Sequence, residues 1–385
     1  MDAYHVAGVG KGVRCFVMKI TYIANIRFPT ERAHGVQIAK TCEAFVHIGN
    51  EVALWVPRRH TNISEDPASY YGLRASFPVR RLFTIDSVAW GRVGFFLEST
   101  LFALSVFVET RRAKADIYYC RDEIVVAILN LFGVPVVWES HTGAWGLFGK
   151  FAAQRARRMV VISNGLKEFY VEKGIAASKI LVAPDGVDLD VSEILNSKES
   201  ARTRLAIPLD AKVALYVGGI GKEKGTDVMF AAAERLPREI TMVIIGDGQE
   251  KLGSLKERFP RMLFLGSRPY RELGSNLAAA DVLVLPSTAL NVVSARFTSP
   301  LKLFAYMTSQ VPIVASDVPS IREILDDDTT FWFRADDPAD LASAIRRVFD
   351  EPELAAHKGL RALQEVRQYA WDVRAKRIVA FLEHV

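Results

Sequence analysis

Short apolar runs alternate with longer segments of helical spacing along nearly the whole chain. The first clean run is Ile20–Ala24, which reads as a strand and follows Met18-Lys19. A loop, Asn25–Gly35, separates it from a helical pattern over Val36–Ile48, where Ile38, Cys42, Phe45 and Val46 share one face. Gly49-Asn50 ends that helix, and Glu51–Val56 is the next strand. The same rhythm gives strands at Asp116–Cys120, Val134–Trp138, Met159–Ile162 and Lys179–Val182, with helices over Ile124–Leu131 and around Gly165–Tyr170. Pro184-Asp185-Gly186 is a turn signal. Such short, almost wholly apolar strands belong to a parallel sheet covered on both faces.

Residues 191–205 are polar and charged, and the alternation restarts beyond them. Strands are expected at Lys212–Val217, Thr241–Ile245, Met262–Leu265, Asp281–Leu285 and Val311–Val314. The predicted architecture is therefore α/β with two successive Rossmann-like domains, residues 18–190 and 191–370. Toward the C-terminus, Leu341–Phe349 and Leu360–Leu382 read as helices. The second domain has helices enough to cover its own sheet, so the tail has to find another surface. Residues 1–17 hold three glycines and no sustained apolar core, and are expected to lie outside the fold proper as an N-terminal extension.

A chain of 385 residues exceeds what one core usually accommodates, which agrees with two domains. The net charge is +5, and the whole excess falls within residues 1–190. A basic half suggests an anionic partner, whether a phosphorylated substrate or a lipid surface. No recognised nucleic-acid module joins the basic residues, so nucleic acid is not expected as a partner. Three widely spaced cysteines, Cys15, Cys42 and Cys120, imply a reducing compartment and no metal-ligand spacing. The most apolar stretch, Val93–Val108, is interrupted by Glu98 and is shorter than the ~18 to 20 apolar residues a membrane span needs. It is expected to be a helix packed in the first domain, with lipid contact as the alternative.

Candidate chemistry sits in loops that follow strands, where open α/β sheets bind ligands. Gly35 closes the loop Thr30–Gly35 and opens a helix whose free amides suit an anion. Glu139-Ser140-His141 follows the run Val134–Trp138 and points to the mouth of a cleft. Gly218-Gly219-Ile220-Gly221 lets a ligand approach the backbone closely, with Lys222 and Lys224 beside it for phosphate. No Gly-Lys-[Ser/Thr] closes this loop, so it is not a Walker A motif. Ser299 reads as an N-cap and Pro300 as the first residue of a helix. Lys302 lies in the first turn of that helix, unfavourably against its dipole. A bound phosphate would offset the conflict.

In order and spacing, "MKITYIANIRFPTERAHGVQI", "VVWESH", "VISNGLKEFY", "VAPDGVD", "YVGGIGKEKGTD", "IIGDG", "AAADVLVLPS", "TSPLKLFAYM" and "PIVASDVPSIREIL" resemble the retaining glycosyltransferases of family 4. The resemblance runs from Met18 to the end. It implies a GT-B fold, two domains facing across a cleft, and a final helix from about Trp371 crossing back to the first domain. It implies transfer of a hexose-type sugar from a nucleoside-diphosphate donor, UDP or GDP, to a glycan, lipid-linked or small-molecule acceptor, without a metal or other cofactor. His141 would face the sugar and Lys224 the diphosphate. Gly35, Gly218, Gly219 and Gly246, with the amides of Ser299, Pro300 and Leu301, would line the donor site. Base discrimination would fall to Gly246–Gly248 and Phe264–Tyr270.

Two positions depart from the family's pattern. Gly219 stands where relatives often carry arginine. Of the family's paired glutamates, the earlier position is Phe297 and the later, ribose-binding one is Ala305. Losing two charge-assisted hydrogen bonds, each about 1.5–3 kcal/mol, would weaken binding by roughly 100-fold to 10,000-fold. A catalytically weakened or inactive sugar-nucleotide-binding protein, with the Glu-to-Ala change natural or engineered, is thus the alternative to an active transferase. The sequence reading also expects a cytoplasmic protein that visits the inner face of a membrane through basic residues of its first domain. These are Arg74, Arg80, Arg81, Arg92, Arg111, Arg112, Lys114, Lys150, Arg155, Arg157 and Arg158.

Overall fold

The computed structural model describes residues 17–189, 197–248 and 252–383. Residues 1–16 of the extension read at 1–17, with the cysteine at position 15, and residues 191–196 of the polar break lie outside them.

Seven parallel strands build the first sheet: β1 (Lys19–Ile23), β2 (Glu51–Pro57), β3 (Val79–Leu82), β4 (Ile117–Cys120), β5 (Val136–Ser140), β6 (Arg158–Val161) and β7 (Ile180–Val182). Their order is β3-β2-β1-β4-β5-β6-β7. The second sheet holds six parallel strands: β8 (Lys212–Val217), β9 (Ile240–Ile245), β10 (Met262–Phe264), β11 (Val282–Leu285), β12 (Ile313–Asp317) and β13 (Phe331–Arg334). Their order is β10-β9-β8-β11-β12-β13. Each sheet reverses its winding beside its first strand, between β1 and β4 and between β8 and β11. Those two crevices, at the C-terminal strand ends, are where such sheets take ligands.

The interior strands are apolar because helices cover both faces; β4 and β5 are buried at every position. Two strands escape the sequence reading, β3 (VRRL) and β13 (FWFR). Both lie at sheet edges, where one side is open and charge is tolerated. Two arginines interrupt β3, and the apolar part of β13 is only the three residues Phe331, Trp332 and Phe333. The predicted single helix Leu360–Leu382 is also corrected. It is two helices, Pro352–Glu365 and Trp371–Glu383, with extended backbone at Ala370 between them.

That break turns the chain back onto the first domain. Trp371, Ile378 and Leu382 are buried in the same cluster as Cys42 and Phe45 of the Ala33–His47 helix. Fully burying such side chains stabilises by about 1.5–3 kcal/mol each. Gly186 makes room for this return, since a Cβ there would lie 2.6 Å from the Trp371 ring. The domains also meet through polar contacts. The Glu323 carboxylate of the second domain accepts hydrogen bonds from the Asn164 and Gly165 amides of the first, at 2.7 and 3.1 Å, capping the Asn164–Glu172 helix beside Ser163.

Candidate active site

The first-domain half of the cleft is a buried charge network at the ends of β4, β5 and β7. Glu139, the fourth residue of β5, is fully buried. Its Oε1 accepts hydrogen bonds from Gln37 Nε2, His141 Nε2 and Arg374 Nη2, each at 2.7 Å. Gln37 in turn accepts from Arg121 at 2.7 Å, just beyond β4. Arg374 comes from the returning C-terminal helix and also donates to the Pro184 carbonyl at 2.9 Å. Burial acts to raise the Glu139 pKa, but Arg374, His141 and Arg121 outweigh it and hold the carboxyl well below the usual range. His141 moves down to about 4, through burial first and then Arg121, against the pull of Glu139.

These states fix a tautomer. A neutral imidazole that donates from Nε2 to a carboxylate presents Nδ1 as an acceptor. His141 can therefore receive a hydrogen bond from a sugar hydroxyl. Two carboxylate oxygens in the same place are buried without a partner, Glu139 Oε2 and Asp185 Oδ1. Burial pushes Asp185 up to about 7, despite Arg374. Ligand atoms of Glu139, His141 and Asp185 lie within 4.8 Å of one another, close enough to hold a cation. The Arg374 guanidinium already supplies positive charge there, so the set favours a hydroxyl-bearing ligand. His34, lowered to about 4 by burial and then by Arg121 and Arg32, completes the group.

The second-domain half gathers at the ends of β8 and β9. Gly246 adopts φ +152°, and a Cβ on it would stand 1.9 Å from the Gly218 carbonyl oxygen. Only glycine lets the two strand ends come that close. Gly218 has φ +143°, and its missing Cβ leaves space for Lys302 Nζ. That ammonium donates to Tyr216 Oη at 2.7 Å and sits 3.9 Å from the centre of the Tyr216 ring. Tyr216 Oη passes the bond on to the Gly219 carbonyl at 2.8 Å. Burial, and then the like charge of Lys224, brings Lys302 down to about 7. Lys222 and Lys224 are exposed on the short turn Lys222–Lys224.

Some expectations change. Ser299 is not the N-cap: the helix is Leu301–Thr308, Pro300 occupies the cap position, and no side chain caps it. The Ser299 hydroxyl instead accepts from the Asp185 amide at 3.0 Å, joining the two halves of the cleft. The amides opening this helix thus stay without a side-chain cap. Gly35 does not begin its helix, which starts at Ala33; it is buried, with its amide on the Arg32 carbonyl and Tyr71 and Thr30 pressed against it. Phe297 is buried against Phe169 and Gly143, so a carboxylate there would enter an apolar cluster. Ala305 is 1% exposed and belongs to the core of the second domain.

Arg121, Gln37 and Arg374 are not named in the sequence reading, and Asp185 appears there only as a turn residue. Arg121 and Asp185 follow strands, a position that could have marked them. Gln37 and Arg374 lie within helices and give no local signal.

The profile of Glycosyltransferase Family 4 matches residues 35–191, the first domain, and that of Glycosyl transferases group 1 matches residues 211–351, the second. The chain belongs to glycosyltransferase family 4. Among family relatives, it is 26% identical over 302 residues to the sulfoquinovosyl transferase of Arabidopsis thaliana, covering 71% of this chain and 57% of that protein. A teichuronic acid biosynthesis glycosyltransferase of Bacillus subtilis is 28% identical over 235 residues, 59% of this chain and 57% of that one. These matches thus span little more than half the length of the curated relatives. The Anabaena protein HepE, solved with UDP-glucose, superposes with a TM-score of 0.74 at 15% identity, covering 96% of this chain and all of that one. Two facing Rossmann-like domains with a returning C-terminal helix are the GT-B fold of this family.

Proposed function

We propose that the protein transfers a sugar from a nucleoside-diphosphate sugar, with UDP as the nucleotide, to an acceptor hydroxyl, retaining the configuration of the anomeric carbon. The observation that carries this reading is the pairing of two unlike half-sites across one cleft. One half is cationic and glycine-lined, with Lys302, Lys224 and the uncapped amides before Leu301 suited to a diphosphate. The other is a hydrogen-bonding pocket for hydroxyls, built from His141, Glu139 Oε2 and Asp185 Oδ1. The family assignment and the UDP-glucose complex of the HepE neighbour support the donor class.

In this reading Lys224 and Lys302 stabilise the negative charge that develops on the departing diphosphate, the electrostatic term that usually dominates such catalysis. His141 Nδ1 orients the sugar through a hydroxyl. The departing phosphate oxygen takes the acceptor proton on the face it leaves, so no covalent nucleophile is required. Holding donor and acceptor in one cleft supplies proximity.

A thermal-shift panel of UDP, GDP, ADP and their sugars tests the donor. Selective stabilisation by UDP and a UDP-sugar is the expected result. The alanine at 305 favours the second reading, a binding protein with weak turnover. Transfer or donor hydrolysis by Ala305→Glu, absent from the protein with alanine, would mark the position as a lost catalytic support.

A further inference from the structure

The Gly91–Thr110 helix carries its polarity the wrong way round for a helix facing water. Its only two acids, Glu98 and Glu109, point inward at 0% and 6% exposure. Arg59 lies 3.9 Å from Glu98, and Arg80 2.6 Å from Glu109. The outward face is apolar. Val93, Phe96, Leu97, Leu104 and Val108 are 79%, 46%, 37%, 38% and 49% exposed. Spacings of three, four and seven residues place them on one stripe. Twenty residues of helix make that stripe about 30 Å long.

The surface continues past the helix. Phe148 packs on Phe96 with ring centres 5.5 Å apart, and its neighbour Leu147 is 82% exposed. Trp90, 69% exposed, stands just before the helix. Both ends are basic: Arg92 at the start, and Arg111, Arg112 and Lys114 at the finish, all exposed.

We infer that this face is a docking surface for an anionic lipid bilayer, with the helix lying in the plane of the interface. An apolar stripe between basic groups, free of outward acids, matches an acyl boundary beneath anionic headgroups. The sequence reading that the segment is too short to span is corrected here. Val88–Thr110 is 23 residues long and apolar enough to cross a membrane by length and composition. It lies on the surface instead, because 44% of its apolar window is buried and both of its acids are held by the domain. Several basic residues named from the sequence are spent elsewhere. Arg80 binds Glu109, Arg81 donates to the Phe28 carbonyl, and Arg158 sits over Phe381. Leu147 follows the loop that carries His141, so the docked face adjoins the mouth of the cleft.

Docking does not depend on the sugar-transfer reading, and its test needs no donor. The full chain is sedimented with vesicles of phosphatidylcholine alone, or of equal parts phosphatidylcholine and phosphatidylglycerol. Binding to the anionic vesicles, weakened by salt and by Arg111→Glu with Arg112→Glu, is expected. Val93→Asp with Phe96→Asp should reduce it by at least about tenfold at an unchanged unfolding temperature. Leu147→Asp, on a separate segment, should also weaken it and serves if the helix variant fails to fold. Brominated lipid should quench a fluorescence component that Trp90→Phe removes. Absence of binding to anionic vesicles at low salt overturns the proposal. So does binding that none of these substitutions changes, or a dimer that Val93→Asp dissociates while the wild type ignores vesicles.

Discussion

The Asp185 amide donates a hydrogen bond to the Ser299 hydroxyl at 3.0 Å, a direct contact between the two half-sites of the cleft. Asp185 belongs to the buried network of Glu139 and Arg374. Ser299 stands three residues before Lys302, the ammonium set against Gly218.

The position of Asp185 makes stability depend on pH. Its folded pKa, about 7, is above the unfolded carboxyl value near 4. A group raised in this way stabilises the fold at low pH, and that contribution is lost as pH rises through the folded pKa. Asp185→Asn keeps the neutral form at every pH. The wild type should lose unfolding temperature relative to Asp185→Asn between roughly pH 4 and pH 7, with no further change above. Parallel curves across that range would remove Asp185 from the account.

Arg374 gives a second prediction. Its guanidinium is buried and its charge answers Glu139, so removing it leaves a carboxylate with too little compensation. Arg374→Met should destabilise by about 3–5 kcal/mol in denaturant unfolding. Adding Glu139→Gln should restore most of that loss, since no buried charge is then left alone. The double variant should nonetheless turn over slowly with little change in donor affinity, because His141 no longer has its carboxylate. Recovery of stability and turnover together would make the Arg374 contact purely structural.

Lys302 sits at about 7, and a diphosphate beside it would raise that value. UDP binding should then take up a proton at slightly alkaline pH, and affinity should fall as pH rises above about 7. Calorimetry in buffers of differing ionisation enthalpy reads the proton directly. Lys302→Met should bind UDP more weakly at pH 7 and lose the proton uptake; uptake that persists in this variant assigns it to another group.

Much of this was legible in the sequence, for reasons that also explain the gaps. Interior parallel strands such as Ile117–Cys120 must be apolar on both faces, so the alternation of elements was visible. Edge strands with arginine, like Val79–Leu82, give no such signal. Gly218, Gly246 and Lys224 could be named because a glycine-rich strand end has a recognisable local form. Gln37 and Arg374 lie 337 positions apart and meet only through Glu139, a relation created by the returning helix. Ser299 was legible as a polar residue before a helix, but its partner in the other domain was not. The outward stripe of the Gly91–Thr110 helix needed the structure to show which face its two acids take.

The most direct measurement is a calorimetric titration of UDP and of uridine into the wild type, Lys224→Ala and Lys222→Ala. If the cationic half-site holds the diphosphate, UDP binds far more tightly than uridine. Lys224→Ala then weakens UDP by roughly 10- to 100-fold, the worth of one charge-assisted hydrogen bond, and leaves uridine nearly unchanged. Lys222→Ala, on the same exposed turn, has little effect on either. Equal affinity of the wild type and Lys224→Ala for UDP, or no preference of the wild type for UDP over uridine, would contradict the account.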